Sequence, residues 1–103
     1  MTRQLIIRVQ AETDMTGAAI WYENQRPGMG EEFLAEVEVA FVNFTAHPRQ
    51  FPCLRRKPEV RRVLTSRFPY RILFILRPDA VVVFRVLNGA RHDREWDCNI
   101  PGG

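Results

Sequence analysis

The stretch VRRVLTSRFPYRILFILRPDAVVVFRVL, residues 60–87, decides the fold of this chain. It contains three short runs rich in β-branched and aromatic residues, separated by a basic break and by the turn residues 77–79. Such runs are typical of adjacent strands, whereas helices need longer patterns with a period of about 3.6 residues. We therefore predict three antiparallel strands, over residues 60–64, 68–76 and 80–87.

The middle one of these predicted strands is apolar on both faces. Because successive side chains of a strand point to opposite sides of a sheet, Leu73 and Ile75 share one face. The opposite face carries Tyr70, Ile72, Phe74 and Leu76. One face therefore needs a covering layer of helices, and the other needs a partner.

The first half of the chain predicts one strand and a helical hairpin over residues 13–47. The strand covers Gln4 to Val9, and Thr13 or Asp14 can cap the helix that follows, which must stop before Pro27. The second helix opens with glutamates at positions 31 and 32 and ends before residue 48. Its apolar stripe consists of Phe33, Val37, Ala40, Phe41 and Phe44. The Pro- and Arg-rich segment 48–58 is predicted to be a loop.

The resulting element order is β-α-α-β-β-β. Helices that are segregated from antiparallel strands pack on one face of the sheet, which makes a two-layer α+β domain. We predict a mostly antiparallel four-stranded sheet, with the first strand beside the last. A single domain is expected over residues 1–98, with a disordered tail over 99–103.

The charge of the chain favours acidic partners. The formal net charge is +3, and 15 residues are Lys or Arg. All of these except Lys57 are arginine, whose planar guanidinium suits bidentate contact with phosphate or carboxylate. Nucleic acid and acidic protein segments are therefore the expected partner classes. The alternative is that Arg49, Arg55, Arg56 and Arg67 form an ordinary solvated face.

Cysteine use and hydropathy indicate a reduced, cytoplasmic protein. The two cysteines, Cys53 and Cys98, show no CxxC spacing, and no histidine stands at ligand spacing, so no metal and no cofactor are expected. The N-terminus carries no apolar secretory segment. The longest apolar runs, 72–76 and 80–84, are far shorter than the roughly 20 residues that span a membrane.

Several motifs in order along the chain carry a resemblance to a known family. They are Asp14-Met15 with Ala18 and Trp21-Tyr22-Glu23; Arg26-Pro27-Gly28-Met29-Gly30 with Phe33-Leu34; Pro48 with Phe51-Pro52; Val60-Arg61-Arg62; Phe68-Pro69-Tyr70-Arg71-Ile72; and Arg91 with Trp96. Together they resemble the RelE/ParE superfamily of toxins of bacterial type II toxin–antitoxin systems, in the branch of plasmid stabilisation proteins. The chain departs from that branch at Asn88, where a histidine is usual, and at Asp93, where a proline is common.

The resemblance implies two classes of activity. RelE-like relatives cut messenger RNA on the ribosome by attack of a 2′-hydroxyl on the neighbouring phosphate. That chemistry needs cations and a group that moves protons, and its candidates here are Arg62, Arg71, Arg91 and His92. The C-terminal tyrosine of RelE-type nucleases has no equivalent in this chain. The ParE-like alternative, inhibition of DNA gyrase by binding without catalysis, is therefore preferred. A non-toxic, antitoxin-binding remnant is the third possibility.

The resemblance also implies a cognate antitoxin that forms a hetero-oligomer with the toxin. Its acidic, amphipathic segment is expected to cover the apolar face opposite the helices and to bind the arginines beside it, by helix-in-groove or added-strand recognition. We expect the strand arginines Arg71 and Arg85 on this same face. The expected contact residues for target or antitoxin are Arg61, Arg62, Arg71, Leu73, Ile75, Val83, Arg85, Arg91 and Trp96.

Overall fold

The computed structural model describes residues 3–88. Its elements in chain order are β1 (Gln4–Ile7), α1 (Val9–Gln25), α2 (Met29–Ala46), a 3₁₀ turn (Pro48–Gln50), β2 (Cys53–Arg56), β3 (Glu59–Leu64), β4 (Tyr70–Leu76) and β5 (Ala80–Asn88). The predicted tail over 99–103 lies outside the described residues. No helix within the described range is both long and apolar enough to cross a membrane.

The five strands form one sheet in the order β1-β5-β4-β3-β2. β1 lies parallel to β5, with Leu5 opposite Val81, and the other pairs are antiparallel. The predicted α+β architecture and the placement of the first strand beside the last are therefore confirmed. The predicted number of strands, four, was one too few.

The additional strand β2 lies within the segment 48–58 that we predicted to be a loop. It is an edge strand of four residues that pairs with β3, placing Cys53 opposite Arg61 and Arg56 opposite Glu59. Its residues are mostly exposed and polar, so the apolar alternation that identifies a buried strand is missing. Backbone hydrogen bonds to β3 form this strand, and they do not require apolar side chains.

Both helices begin earlier than predicted. Helix α1 starts at Val9 instead of near residue 13, directly after the N–H of Arg8 donates to the carbonyl of Val83 at 2.9 Å. Helix α2 starts at Met29, and Gly28 before it adopts a left-handed φ of 90°. Glu23 accepts hydrogen bonds from the N–H groups of residues 28 and 30, at 2.9 and 3.1 Å, and so satisfies free donors at the start of α2.

The predicted stripe of α2 packs into the core between the helices and the sheet. Phe33, Val37 and Phe44 are fully buried there. The ring of Phe44 stacks on that of Phe74 from β4, with centroids 4.5 Å apart and an angle of 8° between the planes. Burying each large apolar side chain stabilises the fold by roughly 1.5–3 kcal/mol, so this aromatic contact is a main connection between the two layers.

A β-bulge interrupts the pairing of β4 with β5. Leu73 lies opposite Arg85, yet its neighbour Phe74 lies opposite Val83, so β5 contains one extra residue, Phe84. Before the bulge Val81 and Val83 face the helices, and after it Val86 does. An extra residue reverses the alternation of side chains along a strand. The pattern of β5 therefore cannot be extrapolated across Phe84.

The sheet has a second apolar cluster on its outer face, opposite the helices. Leu73 and Ile75 belong to it, as the alternation of β4 predicted, and each is 1% exposed. The cluster also contains Val60, Ala80, Val82, Phe84 and Leu87. The sheet is therefore buried on both faces, which is the property that the apolar middle strand indicated.

We expect opposite effects from alanine substitutions at two helical glycines. In Gly30→Ala the new Cβ would lie 2.6 Å from the carbonyl oxygen of Ala19, so α1 and α2 must separate. Such overpacking costs about 1–3 kcal/mol of unfolding free energy. In Gly17→Ala the Cβ meets no atom within 4 Å, and we expect a gain of about 0.5–1 kcal/mol.

Urea unfolding followed by circular dichroism measures both changes. Gly17→Ala is the matched control, because it makes the same chemical change within a helix without the contact. Equal stability changes in the two variants would contradict the close packing of the helices at Gly30.

Candidate functional site

A nearly buried ion pair joins α1 to the bulge of β5. Arg85 Nε donates to Asp14 Oδ2 at 2.7 Å, and Arg85 Nη2 donates to Asp14 Oδ1 at 3.2 Å. The side chains are 14% and 12% exposed. Asp14 Oδ2 also accepts the N–H of Val86 at 3.0 Å. The carboxylate therefore holds both a bidentate guanidinium and a backbone donor of β5.

This ion pair borders a small cavity at the end of β5. The cavity has a volume of about 160 Å³ and is lined by Asp14, Ala18, Tyr70, Arg85, Val86, Leu87 and Asn88. Asn88, which departs from the family pattern, is exposed here as the last residue of β5. Asn88 lines the cavity together with Asp14 and Arg85, so a different side chain at position 88 changes the polar groups around the cavity.

Two tyrosines lie close together beside this region. The ring centroids of Tyr22 and Tyr70 are 6.2 Å apart, and Tyr22 also packs edge-on against Phe68 at 4.8 Å. Burial raises the pKa of Tyr22 above its ordinary value of 10.0, and the neighbouring Tyr70 and Glu36 raise it further. Tyr22 is therefore neutral at physiological pH and is not activated as a proton acceptor.

The predicted arginine surface is divided between the two faces of the sheet. On β3, Arg62 lies opposite Leu73 and so belongs to the outer face, where Arg71 lies opposite Leu64. Arg62 is partly exposed, whereas Arg71 is only 5% exposed. The outer face thus brings these two arginines onto diagonally neighbouring positions, but Arg71 is buried.

Two predicted contact residues lie on the wrong side of the sheet. We expected Val83 and Arg85 on the outer face, but Val83 packs in the helix-side cluster and Arg85 binds Asp14 of α1. Arg85 stands at the alternate position after Val81 and Val83, so the regular alternation of β5 already directs it toward the helices, and the bulge at Phe84 then brings Val86 to the same side. For Val83 the alternation was assigned to the wrong face. Both residues are therefore engaged on the helix side of the sheet.

Arg61 is held against the 3₁₀ turn. Its Nε donates to Glu59 Oε2 at 2.7 Å, and its Nη1 donates to the carbonyl of Phe51 at 2.6 Å. The Arg61 side chain is 14% exposed. Arg61 is therefore separated from Arg62 by the thickness of the sheet. The remaining predicted residues, Arg91, His92 and Trp96, lie outside the described residues.

Sequence reasoning missed the structural roles of three carboxylates. The sequence predicts a capping role for Thr13 or Asp14 and surface positions for Glu23 and Glu36. Glu36 accepts hydrogen bonds from the N–H groups of residues 67 and 68, at 3.3 and 3.1 Å, and so connects α2 to the β3–β4 loop. One feature of the sequence indicates the role of Asp14. Arg85 is a charged residue within an apolar strand, and a buried charge needs an acidic partner on an element that packs against the strand.

The described residues do not indicate a metal centre. Between residues 3 and 88, no cluster of three or more His, Cys, Asp or Glu side chains could hold a metal ion. The chemically distinctive features of this range are therefore arginines and their acceptors.

Comparison with known proteins assigns the chain to a family. Residues 5–93 match the family described as the ParE toxin of the type II toxin-antitoxin system, parDE. The chain is a member of the ParE toxin family. The resemblance seen in the sequence motifs is thereby confirmed. No curated protein matches the chain.

The fold of this ParE-family chain also resembles a solved structure. The match is to a chain of a structure titled "Chromosomal ParDE TA system from P. aeruginosa", with a TM-score of 0.73. It covers 84% of this chain and 96% of that chain. The sequences are 15% identical, so the likeness shows that the fold is shared.

We expect the Asp14–Arg85 pair to contribute strongly to the stability of the ParE-family chain. Arg85→Gln leaves the Asp14 carboxylate largely buried without its guanidinium, and we expect a loss of about 3 kcal/mol in unfolding free energy. The matched control is Arg26→Gln, because Arg26 pairs with Glu32 with both side chains well exposed, 57% and 38%. That variant should lose less than about 1 kcal/mol.

Chemical denaturation of the two variants measures the difference. Asp14→Asn combined with Arg85→Gln should lose less than the sum of the single variants, because the two side chains interact directly. Equal losses in Arg85→Gln and Arg26→Gln would show that the pair has no special role.

The raised pKa of Tyr22 predicts a specific pH dependence. The folded state keeps the phenol neutral at a pH where the unfolded chain already ionises. The stability that Tyr22 contributes is therefore complete below pH 10 and is lost as pH rises through the higher folded pKa. In the folded protein the phenolate absorbance of Tyr22 should develop only above pH 10. The variant Tyr22→Phe lacks this contribution and so identifies it. Ionisation of Tyr22 in the folded protein at or below pH 10 would contradict this assignment.

Proposed function

We propose that this chain is a growth-inhibiting toxin that binds DNA gyrase in the cytoplasm and is neutralised by a cognate antitoxin. Membership of the ParE family supports the proposal, since the family is described as the toxin of a type II toxin–antitoxin system. The similar P. aeruginosa structure is titled as a ParDE toxin–antitoxin system. These comparisons support an antitoxin partner for this chain and a toxin–antitoxin hetero-oligomer.

The observation that favours binding over RNA cleavage is the location of the strand arginines. A ribonuclease must present cations to the scissile phosphate together with a group that transfers protons. Here Arg85 binds Asp14 and Arg61 binds Glu59, each through a contact of 2.7 Å. Arg71 is 5% exposed. These three arginines therefore act mainly within the fold, and an inhibitor that acts by binding needs no such catalytic group.

The β3 margin of the outer face is the best candidate surface for the antitoxin. Leu64 at the end of β3 is 61% exposed, and the partly exposed Arg62 lies two residues before it on the same face. Leu73 and Ile75, which we had expected the antitoxin to cover, are 1% exposed. A segment that combines apolar and acidic residues fits this margin, because the former can pack on Leu64 and the latter can bind Arg62.

Gyrase supercoiling assays test the proposed target. Purified chain added to gyrase and relaxed plasmid should abolish supercoiling in proportion to the toxin present, and an equimolar amount of the cognate antitoxin should restore it. Full supercoiling at saturating, folded chain would remove gyrase as the target.

Expression without the antitoxin separates the alternatives in cells. The proposal predicts growth arrest with a DNA-damage response and with messages that remain intact. New 5′ ends in translated messages, detected by primer extension, would show RelE-like cleavage instead. Unimpaired growth at full expression would identify a non-toxic, antitoxin-binding chain.

Variants at the β3 margin test the antitoxin surface separately from the target. Leu64→Asp should weaken capture by the antitoxin at least about tenfold, since it introduces a charge where an apolar contact is expected. Val42→Asp is the matched control, because Val42 is 70% exposed on α2, away from this margin. Equal antitoxin affinity of both variants would place the antitoxin on another surface.

A further inference from the structure

The charge of this chain is strongly segregated. Residues 48–62 contain six of the 15 cationic residues and one of the 12 acidic residues, so this segment carries +5 and the rest of the chain carries −2. The helical hairpin has the opposite sign, since residues 9–46 contain seven acidic residues and one arginine. The positive excess of the molecule is therefore located at one corner, where the 3₁₀ turn meets β2 and β3.

This basic corner contains a pocket with a volume of about 380 Å³. It is lined by Arg49, Cys53, Arg56, Glu59 and Arg61. The register of β2 and β3 accounts for this grouping, because Cys53 lies opposite Arg61 and Arg56 lies opposite Glu59. Arg49 joins them from the 3₁₀ turn, because Arg61 Nη1 donates to the carbonyl groups of Arg49 and of Phe51, which follows the turn, at 3.4 and 2.6 Å. The backbone thus brings three guanidiniums to one pocket.

The carboxylate among the lining residues of this pocket, that of Glu59, already binds a guanidinium. Glu59 binds Arg61 at 2.7 Å. Arg49 and Arg56 are exposed, and neither forms an ion pair with a carboxylate of residues 3–88. The five lining residues therefore carry a net charge of +2. Glu59 and the carbonyl of Phe51 hold the Arg61 guanidinium in one orientation. The exposed side chains of Arg49 and Arg56 can adjust to a ligand.

We propose that this pocket binds the phosphodiester backbone of a nucleic acid. Arginine forms bidentate contacts with phosphate oxygens, and such contacts require no particular base sequence. Lys57, which is exposed next to Arg56, adds positive charge beyond the pocket. A four-residue strand spans roughly 13 Å, which corresponds to about four phosphates of one DNA strand at about 3.4 Å of axial rise each.

The surroundings of the pocket favour nucleic acid over an acidic protein. Protein interfaces rely on apolar or aromatic anchors at their centre. The exposed large hydrophobic residues of the described chain all lie outside the segment 48–62. The pocket is also separate from the β3 margin, because neither Arg62 nor Leu64 is among its lining residues, so it can act on a different partner from the antitoxin.

Fluorescence anisotropy with labelled nucleic acid tests the proposal directly. Short duplex DNA and single-stranded RNA serve as probes, between about 50 and about 200 mM salt, and we expect sequence-independent Kd values of about 10⁻⁴ to 10⁻⁶ M for at least one of them. The variant Arg49→Gln with Arg56→Gln should bind about tenfold more weakly and should lower the salt slope by about two. The two probes distinguish DNA from RNA as the source of the phosphates.

The matched control is Arg8→Gln with Arg26→Gln, which changes the net charge equally at exposed positions outside the pocket. It should bind nucleic acid within about twofold of the unmodified chain, since a local site depends on contacts more than on net charge. Equal weakening by the two double variants would overturn the proposal. So would tighter binding of a poly-glutamate peptide, or an absence of nucleic-acid binding at the lowest salt concentration.

Cys53 provides an independent footprint, since its exposed thiol lies in the pocket. In a Cys98→Ser chain, alkylation of Cys53 by neutral iodoacetamide should slow several-fold at a saturating concentration of the nucleic-acid probe. The same concentration should give no protection in the Arg49→Gln and Arg56→Gln variant. An unchanged alkylation rate at saturation would overturn the location. Neither measurement contains gyrase, so its outcome is independent of the supercoiling assay.

Discussion

The bidentate pair between Asp14 and Arg85 is the interaction on which the arrangement of helix and sheet depends. It lies where β5 contains an extra residue, and its carboxylate also binds the N–H of Val86. A bulge leaves backbone groups outside the regular ladder, and a buried guanidinium requires a counter-charge. Asp14 meets both requirements from one position on α1. The helix is thereby fixed near the end of β5, the strand that lies between β1 and the central strand β4.

The bulge also determines which residues the two faces of the sheet present. Beyond Phe84 the alternation reverses, so Val86 packs under the helices and Leu87 joins the outer cluster. Without the extra residue, the two faces would exchange these side chains. The bulge thus places Val86 next to Arg85 on the helix side and Leu87 in the outer cluster, so the strand remains apolar on both sides.

The arginines of this chain fall into two groups with different physical roles. Arg61 and Arg85 are mostly buried and bound to carboxylates, and Arg71 is buried in the sheet. Arg49 on the 3₁₀ turn and Arg56 on the edge strand β2 are exposed. Desolvated arginines are costly unless their hydrogen bonds are satisfied, so they contribute to architecture, whereas exposed arginines keep their donors for ligands. Composition alone, which shows only an excess of arginine, cannot separate these groups.

The sequence by itself determined the two apolar faces of β4, the stripe of α2, the layer architecture and the family of the chain. These follow from local periodicity and from motifs, which are properties of residues close together in the chain. Only the tertiary structure decided that β2 is a strand, that Val83 and Arg85 face the helices, and that Asp14 binds a residue 71 positions away. An edge strand needs only backbone pairing, a bulge leaves no periodic signal, and an ion pair between distant residues depends on how the layers pack.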